Sequence, residues 1–356
     1  MKTRFAPVSL LMVVLTAPLA VLAQNTFAVG TASAAPGQKA TGFLEVPAGS
    51  DAALSIPVVV VNGAKPGPTL ALVSGSHGTE YASIIAVEKL IEQVDPAQVS
   101  GKVILIPLVN IGSFEGKVPH LNPVDGKSMN RFYPGKPDGT QTERASYAIT
   151  RQVIERADYV IDYHGGDLDE DLRPYAYWAK TGKAQFDEIT HRMVLAFGLD
   201  TIILQADRPS DPANSHYADT TAATRGKPAI TVEAGHAGTV ESDDVQKLAQ
   251  GTLSVLRELK MLPGAPSPIE NPVWIDHLST VTSEQPGIFY PLVKRGTFAA
   301  AGMKIGYVTD YFGKVIYEAR APEAGVILYI CAVPSMAKGG TIASIGHVAA
   351  TPPGIP

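Results

Sequence analysis

The chain has 356 residues, a formal charge of −5 and 18% charged residues, with no basic stripe, so nucleic acid is not an expected partner. A single cysteine, Cys331, excludes an intramolecular disulfide and a thiolate metal centre. At this length one core rarely suffices, and one large domain plus a smaller one is expected.

In chain order, residues 1–23 open with Lys2 and Arg4, continue apolar from Phe5 to Leu22 and end in Val21-Leu22-Ala23 before Gln24. This is the pattern of a secretory signal peptide, and predicts an exported, periplasmic or secreted protein. The competing reading is an N-terminal membrane anchor, but Pro7 and Pro18 shorten the apolar run below the roughly 20 residues a span needs. No later segment is long and apolar enough, so no stable membrane insertion is expected after signal removal. Residues 24–40 read as an aperiodic lead-in.

From residue 41 strands and helices alternate. Gly42–Pro47 and Ala53–Val61 read as strands, Thr69–Val73 as a buried strand and Tyr81–Val94 as an amphipathic helix. Strand Val103–Val109, a long loop to about Thr140, a helix from Thr142 to Ala157, strand Tyr159–Tyr163 and a loop to Trp178 follow. Helix Ala184–Phe197, strands Thr201–Leu204 and Ala229–Val232, and helix Asp243–Leu259 complete the series. Such alternation predicts an α/β fold: a mixed, mostly parallel sheet with helices on both faces. Three prolines within Met261–Pro268 mark a linker between a hydrolase domain at 41–262 and a small all-β domain at 268–350, built from short runs such as Gly325–Cys331. The tail from Thr351 to Pro356 reads as disordered.

Three short segments carry chemistry, each just past an apolar strand: Ser-His-Gly-Thr-Glu at 76–80, Asp-Tyr-His at 162–164 and Val-Glu-Ala-Gly at 232–235. Strand C-termini are where open α/β sheets bind ligands. His77 and Glu80, three apart at a strand-to-helix junction, can turn toward one point, and His164 can supply a third metal ligand. Two imidazoles and a carboxylate leave a position open for water, as a catalytic zinc site requires. Glu233 can take the proton from that water. Singly these residues also read as a loop histidine, a turn residue and a cap; jointly, polar groups after three buried strands are costly without a purpose.

These segments resemble the zinc carboxypeptidase superfamily in its succinylglutamate desuccinylase/aspartoacylase branch. The resemblance runs from about residue 41 onward and is strongest between 74 and 236. The family's Gly-x-His-Gly-x-Glu stands as Gly75 to Glu80, its Asp-x-His as Asp162 to His164, and its Val/Ile-Glu-x-Gly as Val232 to Gly235. Its Pro-x-Asp-Gly and Asn-Arg-x-x-Pro-Gly stretch spans Pro123 to Gly135. It implies one zinc ion per chain on His77, Glu80 and His164, Glu233 as general base, and Asn130 and Arg131 as substrate-binding residues. An arginine guanidinium suits a substrate carboxylate. Asp162 is expected to orient a ligand histidine.

One departure stands out. Where many members carry an oxyanion-stabilising arginine, this chain has Val118-Pro119-His120-Leu121. His120 or Arg173 is the candidate replacement. Tyr175 and Tyr177 are candidates for the pocket wall, as are Tyr290 or Tyr311 from the β module, which the resemblance makes a narrowing of the entrance.

The expected activity is deacylation of a carboxylate-bearing N-acyl amino acid. A metallocarboxypeptidase acting on short peptides or cell-wall fragments and a non-catalytic exported binding protein remain as alternatives. Ser74 and Ser76 do not form a Gly-x-Ser-x-Gly elbow, which disfavours a serine hydrolase.

Overall fold

The computed structural model describes residues 26–205, 208–350 and 354; the signal-peptide segment and all of the tail but Gly354 lie outside them. The strands are β1 (Phe27–Val29), β2 (Ala32–Ala34), β3 (Gln38–Val46), β4 (Leu54–Asn62), β5 (Lys65–Ser74), β6 (Ser100–Ile106), β7 (Tyr159–His164), β8 (Glu170–Leu172), β9 (Tyr175–Ala179), β10 (Thr201–Gln205) and β11 (Ala229–Glu233). After residue 260 come β12 (Val273–Thr282), β13 (Gly287–Pro291), β14 (Phe298–Ala299), β15 (Lys304–Thr309), β16 (Val315–Arg320), β17 (Gly325–Cys331), β18 (Ser335–Met336) and β19 (Thr341–Val348). The α-helices are α1 (Tyr81–Gln93), α2 (Ile111–Gly116), α3 (Gln141–Gln152), α4 (Ala184–Phe197), α5 (Ala218–Thr224) and α6 (Ser242–Glu258).

Among the described residues a thirteen-stranded sheet runs β14-β17-β19-β12-β10-β9-β11-β7-β5-β6-β4-β3, with β8 on β17. Its centre is parallel: β6, β5, β7 and β11 all run one way. The buried strand β5 shows why both faces are covered. Leu70 and Leu72 join a core with α1, α4 and α6, whereas Ala71 and Val73 join the opposite core with α3 and α5. Alternate side chains leave a strand on opposite faces, so a continuous apolar run requires a helical layer on each. No helix among the described residues is long and apolar enough to cross a membrane.

The C-terminal strands are all β, and they extend the main sheet. β12 pairs in parallel with β10, and β19, β17 and β14 follow antiparallel. A second sheet, β16-β15-β13-β18, packs on them around Phe289, Ile305, Ile327 and Ile345.

Local details differ from the sequence-based expectation. Residues within 24–40 form β1, β2 and the start of β3; Thr31 N–H donates to the Phe43 carbonyl, a non-local contact invisible in an aperiodic segment. The loop expected before Trp178 holds β8 and β9. The helix expected to reach Ala157 stops at Gln152 and ends in a 3₁₀ turn, Ile154–Arg156.

Candidate metal and catalytic centre

β5, β7 and β11 deliver the three motifs to one edge of the sheet. After β5 the chain turns at Gly75, whose φ is +72° and where a Cβ would lie only 2.8–2.9 Å from Leu108. The turn aims His77 back over the strand ends. Glu80 occupies the N-cap of α1 but makes no side-chain cap bond, because its carboxylate points to the histidines. His77 Nδ1 lies 2.6 Å from Glu80 Oε1 and His164 Nδ1 lies 2.9 Å from Glu80 Oε2. The Gly165 amide donates to the same Oε2 at 3.1 Å.

Donor atoms of His77, Glu80 and His164 lie within 4.8 Å of one another, and the three side chains are shielded from solvent. Burial alone raises a carboxyl pKa, yet the two imidazoles hold Glu80 down to about 2. His164 is resisted by burial, but Glu80 and Asp162 outweigh this and keep its pKa well above the ordinary histidine value. Asp162 sits two residues earlier on the same strand face, its Oδ2 3.4 Å from His164 Nε2. Neither Asp162 oxygen makes a hydrogen bond among the described residues. Asn130 Nδ2 lies 2.9 Å from the same His164 nitrogen, and Ser128 Oγ lies 3.2 Å from His77 Nε2.

A divalent cation fits this donor set. Glu80 and Asp162 are buried carboxylates beside His77 and His164, and the neutral imidazoles that ligate a metal leave their charge in need of a counter-ion. The Nε2 side of each histidine, away from Glu80, keeps an acceptor, Ser128 Oγ for His77 and an Asp162 carboxylate oxygen for His164. Such partners commonly fix a ligand imidazole.

Glu233 lies between two register partners, His164 on β7 and Tyr175 on β9. The Tyr175 hydroxyl donates to Glu233 Oε2 at 3.1 Å. Burial, assisted by the Glu80 charge and opposed by His164 and the Tyr175 hydrogen bond, pushes the Glu233 pKa up to about 7. That is the range of a working general base. Glu170, missed in the sequence reading, lines the same cavity, its pKa raised to about 8 by burial and then by the Glu80 charge.

The cavity measures about 710 Å³. On one wall His120 adopts φ of +59°, its backbone N–H bonded to Asp167 and its Nε2 3.1 Å from Asp169 Oδ1. The hydrogen bond to Asp169, helped by the nearby Asp167 and Glu170 charges, raises the His120 pKa to about 9 against burial. Its ring stands edge-on to His77 at 6.0 Å. On another wall Arg131 and Arg208 both lie over the Tyr217 ring, at 5.1 and 4.2 Å. Arg208 also pairs with Asp219 at 3.3 Å. Thr280, Tyr329, Met336 and Thr341 bring the C-terminal strands into the wall.

His77, Glu80, His120, Asn130, Arg131, Asp162, His164, Tyr175, Tyr177 and Glu233 thus line one cavity. Arg173 does not. The pairing of β8 with β17 directs it to Asp200 (2.9 Å) and Thr201 (2.8 Å), which hold its guanidinium outside the cavity. Tyr290 and Tyr311 are also misplaced: Tyr290 stacks on Tyr307, and Tyr311 is largely solvent-exposed. Tyr329 is the tyrosine of the C-terminal region that lines the cavity. Arg208, Tyr217 and Tyr329 had no motif to announce them; the alternation of Tyr175 and Tyr177 with buried Ala176 and Trp178 was the one available sign of β9.

The model for the succinylglutamate desuccinylase/aspartoacylase catalytic domain matches residues 66–259. The N-alpha-acetyl-L-2,4-diaminobutyric acid deacetylase of Halomonas elongata is 30% identical over 317 residues, covering 86% of this chain and 91% of that protein. Among solved structures, the product-bound ectoine utilization protein EutE (DoeB) of Ruegeria pomeroyi aligns with a TM-score of 0.78 at 25% identity, over 86% of this chain and 95% of that one. A succinylglutamate desuccinylase/aspartoacylase from Rhodobacter sphaeroides has the same fold, with a TM-score of 0.78 at 22% identity over 87% and 96% of the two chains.

Proposed function

Because the chain belongs to the succinylglutamate desuccinylase/aspartoacylase family, we propose that it is a zinc-dependent amidohydrolase that removes the acyl group from a small, carboxylate-bearing N-acyl amino acid. The observation that carries this reading is the placement of Glu233, half-buried and facing the same cavity as the converging His77, Glu80 and His164. The deacetylase activity printed for the Halomonas relative supports the substrate class.

His77, Glu80 and His164 would hold the zinc ion, which when bound would lower the pKa of water and polarise a carbonyl as a Lewis acid. Glu233 accepts the proton of the attacking water and returns it to the departing amine. Tyr175 keeps the Glu233 carboxylate oriented through its 3.1 Å hydrogen bond. His120, held in its charged form by Asp169, stands where it can offer a proton or a positive charge to the oxygen that becomes negative on attack. Arg131 and Arg208 present guanidinium groups to a substrate carboxylate, with Tyr217 beneath both. Closure of the wall by Thr280, Tyr329 and Met336 favours a small substrate over a long peptide. The basic start and apolar stretch of residues 1–23 support export.

The test is zinc content of the purified chain, together with hydrolysis of N-acetyl, N-succinyl and longer N-acyl amino acids and of dipeptides, with and without chelator. One zinc at this centre and chelator-sensitive release of an amino acid from acyl substrates is the expected result. Preferential cleavage of dipeptides would make the protein a metallocarboxypeptidase. Turnover unaffected by chelator would overturn the metal-dependent reading.

A further inference from the structure

A second group of metal-capable side chains lies outside this cavity, where β12 meets β19. The pairing slips between Ile275 and His277, so Asp276 is the extra residue of a β-bulge, a feature that re-aims side chains. His277 and His347 are cross-strand partners whose rings stack at 4.5 Å and 22°. The Nδ1 atom of each lies 2.8 Å from the same Asp276 oxygen, Oδ1. Donor atoms of the three residues fall within 4.8 Å of one another. Behind them, Glu323 Oε2 lies 2.9 Å from His277 Nε2, and Ser279 Oγ donates to the other Glu323 oxygen. Asp276 and His277 border a separate cavity of about 600 Å³, and all three side chains are open to solvent.

We propose that Asp276, His277 and His347 form a second, surface-accessible binding site for a divalent transition cation of the zinc type. The donor set selects the class. Two imidazoles and a carboxylate suit zinc, nickel or copper(II), whereas magnesium and calcium prefer all-oxygen surroundings. Stacked imidazoles on neighbouring strands repel each other if both are protonated, and Glu323 faces His277 alone, so their two Nδ1 atoms meet at a single Asp276 oxygen. A cation uses the same arrangement without that repulsion: each ring carries its proton on Nε2 and turns its Nδ1 lone pair to the ion. Glu323 accepts the Nε2 proton of His277 as a hydrogen bond, which is how ligand histidines are commonly fixed. The bound ion ties β12 to β19, the pair that connects β19, β17 and β14 to the strand joined to β10.

Equilibrium dialysis of the tag-free chain against zinc, with His277→Ala/His347→Ala for comparison, tests the site. The double variant is expected to bind one ion fewer per chain than the native protein, while Glu323→Gln keeps the count and weakens that ion by roughly 10–100-fold. His347→Gln, a milder surface exchange, provides the same count if the double variant does not fold. Equal ion counts in native and variant chains overturn the proposal. Because the readout is a difference of one ion, it holds whether or not the centre at His77, Glu80 and His164 takes zinc.

Discussion

His164 and Glu233 face each other as register partners on the adjacent parallel strands β7 and β11. Register partners project to the same face of a sheet, so the spacing between a proposed metal ligand and the proposed base is built into the strand pairing. A one-residue slip would turn one of them into the opposite core. Glu233→Gln preserves the shape of this row and removes only the basic oxygen. It is expected to lower kcat by about 10³-fold or more while metal content stays unchanged.

The same substitution has a second, opposite effect on stability. A carboxyl whose pKa rises to about 7 on folding binds more protons folded than unfolded between its ordinary value and 7. Stability contributed by that proton is present at low pH and is lost as pH rises through this window. Above pH 7 the desolvated charge opposes folding, by roughly 3 kcal/mol in the metal-free protein. Glu233→Gln is therefore expected to raise the thermal midpoint of the metal-free chain at pH 8 and to change it little at pH 4.5. Calorimetry of both forms at both pH values checks this; an equal shift at the two values would contradict the buried-charge account.

Removing a ligand separates metal binding from packing. In the His277→Ala/His347→Ala background, where only the buried centre is read, His77→Ala is expected to abolish zinc retention and turnover together. Zinc at about a hundred times its dissociation constant stabilises a binding-competent fold by about 2.7 kcal/mol. That zinc-dependent rise in thermal midpoint should vanish in His77→Ala, and full zinc occupancy there would remove His77 from the ligand set.

Arg131 and Arg208 meet over the Tyr217 ring although they come from segments far apart in the chain. A lost hydrogen bond to a charged group costs about 1.5–3 kcal/mol, so Arg208→Ala should raise KM for acyl amino acids by roughly 10–100-fold. Arg131→Lys should not restore binding lost in Arg131→Ala, because an ammonium lacks the planar fork. Substrates whose carboxylate is amidated should lose little further on either substitution, which distinguishes carboxylate recognition from a general structural defect.

How much of this centre could be read from the chain depended on whether each residue stood beside its strand. His77, Glu80, His164 and Glu233 follow apolar runs directly, so their convergence is a consequence of strands ending at one sheet edge. Asp162 is legible for the same reason, two residues before His164. Arg208, Tyr217 and Tyr329 reach the cavity only through long-range packing, and no local pattern marks them. Arg173 shows the opposite failure: it follows His164 closely, but the pairing of β8 with β17 turns it toward Asp200. The α/β layering was legible because continuous apolar strands demand two covers. The joining of the C-terminal strands to the same sheet was not, because strand pairing across a proline-rich linker leaves no periodic signal.

His120 and Asp169 provide the upper limit of the pH profile. Asp169 accepts from His120 Nε2 at 3.1 Å and leads the interactions that raise that imidazole to about 9. If charged His120 supports attack, activity is retained through neutral pH and declines as pH rises through the His120 pKa. The acid limb follows Glu233, which must be ionised; a cation on the neighbouring ligands favours ionisation and moves that limb below the metal-free value of about 7. The profile of kcat/KM is thus expected to be bell-shaped. Asp169→Asn keeps the side-chain shape and removes the charge, so the alkaline limb should move down by about one pH unit or more while the acid limb stays in place. A movement of both limbs together would point to a general disturbance of the cavity, and an unmoved alkaline limb would assign that limb to another group.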